Sequence, residues 1–185
     1  MTLPRGFKAK AEREAERLRG ELGLGAAAAL PLDRLAEHLG VVLVSGDELV
    51  ERDRLEEIER LQAFAFSAAT FIIQGRTFVV TNPLRTPGRL ASDVAHEFAH
   101  TILDHELAEV RQIDGVPFRT CRPDEEEQAT AFGGTLLLPR PLLMLAARRG
   151  DGPAEIAAAC GVTLEMARFR YNTTGVARQA QRRSV

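Results

Sequence analysis

Residues 96–100 read His96-Glu97-Phe98-Ala99-His100, and this segment restricts the architecture of the 185-residue chain more than any other. On a helix, four residues advance one full turn plus about 40°, so both imidazoles project from one face. Residues 89–108 carry the apolar spacing of such a helix. They follow a loop marked by Asn82-Pro83 and Pro87-Gly88.

Two imidazoles so placed can bind one ion, and zinc accepts neutral imidazole at about 2.0–2.1 Å, usually in tetrahedral geometry. Glu97 falls beside that face, within reach of a metal-bound water without being a ligand. Such a water is acidified enough to become a nucleophile near neutral pH, and the glutamate takes its proton. The pattern predicts a zinc-dependent peptidase with His96 and His100 as metal ligands and Glu97 as general base. Of the four histidines in the chain, two stand in this motif, so an accidental pairing on a charged helix surface is the weaker reading.

A catalytic zinc takes a third protein ligand. His105 lies nine residues after His96, on the opposite side of a continuous helix, and is read as structural. A metzincin site needs Gly at 103 and His at 106, where this chain has Leu103 and Glu106. Asp124, Glu125, Glu126 and Glu127 open the next strong helix after Pro123, where the helix dipole favours acids in any case. Glu126 heads a face of Ala129, Thr130, Gly133 and Leu137, whose small residues permit close packing on another helix. The residues alone leave the choice among these four acids open.

The rest of the chain is read from the same kinds of signal. A helix is expected over 5–22, from the spacing of Phe7, Ala11, Ala15, Leu18 and Leu22, and a second over 31–39, stopped by Gly40. Residues 41–44 form a short β-branched strand, and the charged 47–61 segment is helical. Apolar runs at 64–73 and 77–81 flank Gln74-Gly75-Arg76 as a β-hairpin. Residues 109–122 look irregular, a helix runs from Pro123 to about Leu138, and two or three more helices fill 140–182. The expected class is α+β: a small antiparallel sheet packed with a helical bundle, the zinc site between two helices, and a helical C-terminal segment. Residues 1–150 are assigned to a metallopeptidase domain that includes the N-terminal helices. Residues 151–185 are assigned to a helical extension, of helix-turn-helix character, packed on it.

A formal charge of −2 demands neither a nucleic-acid nor a membrane partner. Two cysteines are too few for a disulfide framework, the N-terminus has no signal-type apolar core, and no run approaches a membrane span. A cytoplasmic protein without membrane contact is expected. Cys121 lies five residues before Glu126, and its thiolate is a candidate inhibitory metal ligand that would displace the catalytic water. Cys160 sits in an alanine-rich helix and is read as core. Residues 154–171 give a helix, Gly161, then a helix carrying Arg168 and Arg170, an echo of helix-turn-helix spacing. Both arginines are candidate nucleic-acid contacts, weighed against an ordinary solvated face.

The segments ASDVAHEFAHTILDH (91–105) and EEQATAFGGTLLLP (126–139) resemble the ImmA/IrrE family of metallopeptidases. In that family the H-E-x-x-H helix is followed by E-x-x-A-x-x-F-A-x-x-L-L-x-P, whose leading glutamate is the third zinc ligand. Glu126, Ala129, Phe132, Leu136, Leu137 and Pro139 fit that register, so the resemblance assigns the third ligand to Glu126. Residues 5–24 and 156–175 are similar to the family's N-terminal helix and C-terminal helical segment. Gly133 replaces the usual alanine, and Thr130 stands where Asn or Asp is frequent. The resemblance implies one zinc ion per chain and a helix-turn-helix transcriptional repressor as the protein substrate. Cleavage would switch on a DNA-damage, mobile-element or antiphage-defence programme, with single-stranded DNA as a candidate activator. The rival reading is a non-catalytic, zinc-stabilised module for sensing DNA or damage signals or for protein interaction.

Overall fold

The computed structural model describes residues 3–61, 66–105, 110–113, 116–119 and 122–181. Helix α1 (Phe7–Glu21) buries Phe7, Ala11, Ala15 and Leu18, the stripe that the sequence spacing predicts. Helix α2 (Leu32–Leu39) begins after Pro31 and stops at Gly40, whose φ of 67° suits a residue without a Cβ. Strand β1 (Val41–Ser45), one 3-10 turn and helix α3 (Arg52–Leu61) follow.

Strands β2 (Ala68–Ile73) and β3 (Arg76–Thr81) form the expected hairpin. Gln74 and Gly75 both take positive φ, 51° and 75°, the tight-turn conformation that matches the twist of paired strands. The sheet order is β1-β3-β2. It is mixed rather than purely antiparallel, because β2 runs against β3 while β1 runs with it. The cause is topological: the hairpin inserts β3 between β1 and β2. Since β2 points opposite to β1, its partner β3 must point along β1.

Helix α4 (Pro87–Ile102) packs across β2 and β3, and helix α5 (Pro123–Leu137) packs against α4. Phe98 of α4 and Phe132 of α5 are fully buried in the same core as Val79 of the central strand. Helix α1 covers α5 from the other side. The segment expected to be irregular instead holds an antiparallel pair, β4 (Val110–Ile113) with β5 (Val116–Arg119). Its sequence signal is the Asp114-Gly115 dipeptide between β-branched residues, and Pro117 is compatible with an edge strand.

The C-terminal segment forms α6 (Arg140–Arg149), α7 (Pro153–Cys160), α8 (Leu164–Thr173) and α9 (Val176–Gln181), one helix more than the upper expectation. Its contact with the rest of the chain is close. A Cβ added at Gly88, in the first turn of α4, would lie 2.8 Å from the Val162 carbonyl carbon. Arg170 of α8 is buried: Nε and Nη2 donate to the Leu138 carbonyl at 3.1 and 3.0 Å, and Nη2 pairs with Glu12 at 2.8 Å. The other Glu12 oxygen accepts from the Arg140 backbone N–H at 2.8 Å. Arg170 is therefore a tie between α1, the α5–α6 junction and α8, which corrects its reading as a nucleic-acid contact. Arg168, two residues earlier, is exposed. Among the described residues, no single helix is long and apolar enough to cross a membrane.

Candidate metal centre and active site

Helix α4 presents His96 and His100 on the side that faces the first turn of α5, from which Glu126 reaches back. His100 Nε2 lies 3.0 Å from His96 Nε2, His96 Nε2 lies 3.1 Å from Glu126 Oε2, and His100 Nε2 lies 3.5 Å from Glu126 Oε1. Bonds of about 2.05 Å in a tetrahedron separate ligand atoms by about 3.3 Å, so these spacings suit one small ion. Three protein ligands leave the fourth tetrahedral position open for chemistry. His96, His100 and Glu126 form a cluster able to hold a metal ion. Its open side is toward α5, where the Glu126 side chain is 41% exposed against 14% for His100.

With both Nε2 atoms aimed at a common point, the Nδ1 atoms are left to orient the rings. His96 Nδ1 meets Thr130 Oγ1 at 3.4 Å. His100 Nδ1 meets His105 Nδ1 at 3.0 Å. Burial holds the His105 pKa below the ordinary histidine value, against the opposing pull of Glu125, Glu126 and Asp124. A neutral His105 can accept the His100 Nδ1–H at its own Nδ1, the tautomer that leaves the His100 Nε2 lone pair for a metal.

His105 does not sit on the far side of α4 as a continuous helix would place it. The helix ends at Ile102, Asp104 turns the chain with φ 54°, and the His105 amide bonds to the His100 carbonyl at 3.0 Å. Asp is among the residues that tolerate this left-handed turn, and it was the only local signal for the reversal.

Glu97 is buried at the base of the α4–sheet contact, where its Oε2 accepts a hydrogen bond from the Thr70 hydroxyl of β2. Thr70 was missed from sequence: it is a single polar residue inside the apolar run Ala68 to Ile73. Before it, Phe66 and Ser67 are pinned. Asn82 donates its side-chain amide to Phe66 O at 2.7 Å and its backbone N–H to Ser67 O at 2.9 Å. Arg85 adds a second bond to Phe66 O at 2.8 Å and a two-pronged pair with Glu59. Ser67 and Ala68 thus form a fixed wall of a cleft of about 360 Å³, whose lining also includes His96, Glu97, Asp93, Gly133 and Met166. One Asp93 oxygen pairs with Arg89 at 2.9 Å, while the other is buried without a hydrogen-bond partner among the described residues.

Residues 57–172 match the family described as IrrE N-terminal-like domain, peptidase M78. The chain belongs to this family. The match starts within α3 and ends near the close of α8, so it takes in β2, α4, α5 and every residue of the cluster. Searches of curated proteins and of solved structures gave no significant match. Membership in the M78 family supports a metallopeptidase-type function for the chain, and the His96/His100/Glu126 cluster is compatible with a metal site. Thr130 supplies an oxygen to His96 Nδ1. Cys121, the candidate inhibitory ligand, lies outside the described residues.

Proposed function

We propose that this M78-family chain is a zinc-dependent endopeptidase, with His96, His100 and Glu126 holding the ion and Glu97 acting as general base. The observation that carries this reading is the convergence of two imidazole Nε2 atoms and one carboxylate next to a buried, hydroxyl-anchored glutamate. Two nitrogens and one oxygen with an open fourth position make a donor set suited to zinc. When bound, zinc supplies Lewis-acid polarisation of the scissile carbonyl and acidification of water.

The chain's own residues do the remaining work. Thr70 holds Glu97 in one orientation, so that its carboxylate takes the proton of the attacking water and passes it to the departing amine. Thr130 and His105 fix the two imidazole rings. The outer edge of β2 carries no strand among the described residues, and Ser67 just before it and Ala68 at its start line the cleft. An extended substrate backbone adds there as a further strand.

The resemblance to the ImmA/IrrE family supports a helix-turn-helix transcriptional repressor as substrate, and single-stranded DNA as an activator with exposed Arg168 as its contact. Cys121 as an inhibitory sulfur ligand rests on its sequence position alone. The test is a comparison of zinc-loaded wild type with Glu97→Gln on a proteome-derived peptide library, read by mass spectrometry. Metal content and the zinc X-ray absorption edge are measured on the same samples. Cleavage by wild type only, with about one zinc in both proteins and nitrogen and oxygen neighbours, supports the reading. A sulfur neighbour at about 2.3 Å assigns Cys121 to the metal. Equal output from both proteins refutes the catalytic role and favours a non-catalytic module.

A further inference from the structure

A second depression lies on the other side of α5 from the cleft. It measures about 680 Å³, within the range of sites that enclose small ligands or side chains. Its floor is Ala131 and Thr135 of α5, and its walls are Phe7 of α1 and Phe169 of α8, with Leu3 at the margin. One end reaches Glu126 and Thr130. Thr130 also lines the cleft beside Glu97, so the two depressions meet at the metal cluster.

Two features separate this groove from ordinary surface relief. Phe169 is 57% exposed, a large apolar ring left in water at the groove wall. The walls are also fixed relative to each other, because Glu12 of α1 pairs with Arg170 of α8 and accepts the N–H of Arg140. A groove held open in this way spares a ligand the cost of shaping it.

We infer that the α1–α5–α8 groove is a recognition subsite for the polypeptide substrate, one that takes a large apolar side chain adjoining the scissile bond and packs it against Phe169 and Phe7. The inference rests on the peptidase reading for its occupant. The argument for that occupant is continuity: a chain crossing the cluster at Glu126 passes from the cleft into the groove over Thr130. The cleft holds the carboxylates of Glu97 and Asp93, whereas the groove presents the apolar surfaces of Phe7, Ala131 and Phe169, with Lys8, Glu127 and Arg140 also in its lining. Specificity is therefore split across α5, with backbone pairing and catalysis on one side and side-chain selection on the other.

The test uses the zinc-loaded full chain and does not depend on turnover. Displayed random dodecapeptides are selected on Glu97→Gln protein and on Glu97→Gln/Phe169→Ser protein. Phe169 is exposed, so the change leaves the core intact. A second variant, Ala131→Phe, fills the floor from within. The expected result is enrichment of Leu, Ile, Met or Phe by the first protein and its loss in both groove variants. Kd for a selected peptide should rise about tenfold, as when roughly half a phenylalanine side chain is withdrawn from contact. On a cleaved peptide, Phe169→Ser should raise KM with kcat nearly unchanged.

Enrichment that persists unchanged in both groove variants overturns the inference. So does a Phe169-dependent dimer in sedimentation with no effect on peptides, which would assign the groove to a second copy of the chain. If wild type cleaves peptides regardless of Phe169, the groove assignment falls and the peptidase reading stands. Phe169-dependent binding with no peptide cleaved by wild type leaves the groove a peptide-binding surface and overturns its place beside a scissile bond.

Discussion

Replacing Thr70 with valine asks whether Glu97 works as a positioned base. The two side chains are nearly closed to water, at 7% and 6% exposure, and the Thr70 hydroxyl donates to Glu97 Oε2. Valine keeps the volume and β-branching of threonine, so the change removes a donor and little else. A hydrogen bond to a charged group contributes about 1.5–3 kcal/mol. In the variant, Glu97 keeps its place on α4 but loses the contact that fixes its carboxylate. Misplacement of a reacting group by about 1 Å costs on the order of a hundredfold in rate. An opposing effect exists, because the donor also stabilises the charge that the base gives up on taking a proton. The net expectation is a fall in kcat/KM of about 10- to 100-fold, the rate equivalent of about 1.4–2.8 kcal/mol. Zinc affinity should stay within about threefold, since Thr70 touches none of the ligands, and a change that small is about 0.6 kcal/mol. Thr70→Ser, which restores the hydroxyl, should recover most of the activity. The assay is kcat/KM on a cleaved peptide, with metal affinity from chelator competition on the same preparations. Undiminished kcat/KM in Thr70→Val would refute the reasoning and mean that α4 alone orients Glu97.

Three further outcomes are expected. His105→Ala should weaken metal binding by about 10- to 100-fold, as loss of a partner behind a ligand does, while circular dichroism remains that of the folded protein. Arg170→Met should lower the stability measured by urea denaturation by about 1.5–3 kcal/mol, whereas Arg168→Glu should stay within about 0.5 kcal/mol and alter only any salt-dependent binding to single-stranded DNA. Burial pushes the Cys160 thiol above its ordinary pKa, with Arg19 and Arg149 pulling partly the other way. Because the folded state holds that proton more tightly, iodoacetamide labelling of Cys160 should be slow at neutral pH, rise only above the ordinary thiol range of about 8.5, and speed up on unfolding. The same sign means that its contribution to stability is lost as pH rises through that range.

What the sequence made legible was local. His96 and His100 share a face because of helix geometry alone, and Pro31, Gly40, Gln74-Gly75 and Pro123 mark element boundaries through their own backbone preferences. What stayed hidden belongs to pairs of residues far apart in the chain. Arg170 reads as one more basic side chain until Glu12, 158 positions away, is found beside it. Thr70 acquires its role only from Glu97, 27 positions on. His105 was misplaced because α4 ends at Ile102 without a glycine or proline to announce it. Gly133 carries the same lesson into the metal cluster. By sequence it is a small residue in place of another small one. In the structure, a Cβ there would lie 3.0 Å from the Ala95 carbonyl carbon, the Ala95 oxygen and the His96 nitrogen. The backbone of α5 is therefore pressed against α4 at the ligand residue itself. Even the 3.1 Å spacing between His96 and Glu126 depends on how near the two helices can approach. A methyl group at 133 would have to be absorbed by displacing one helix backbone by a few tenths of an ångström, since neither contact is a flexible side chain. The spacing of the cluster thus depends on the close approach of α5 to α4 at Gly133 as well as on the H-E-x-x-H motif.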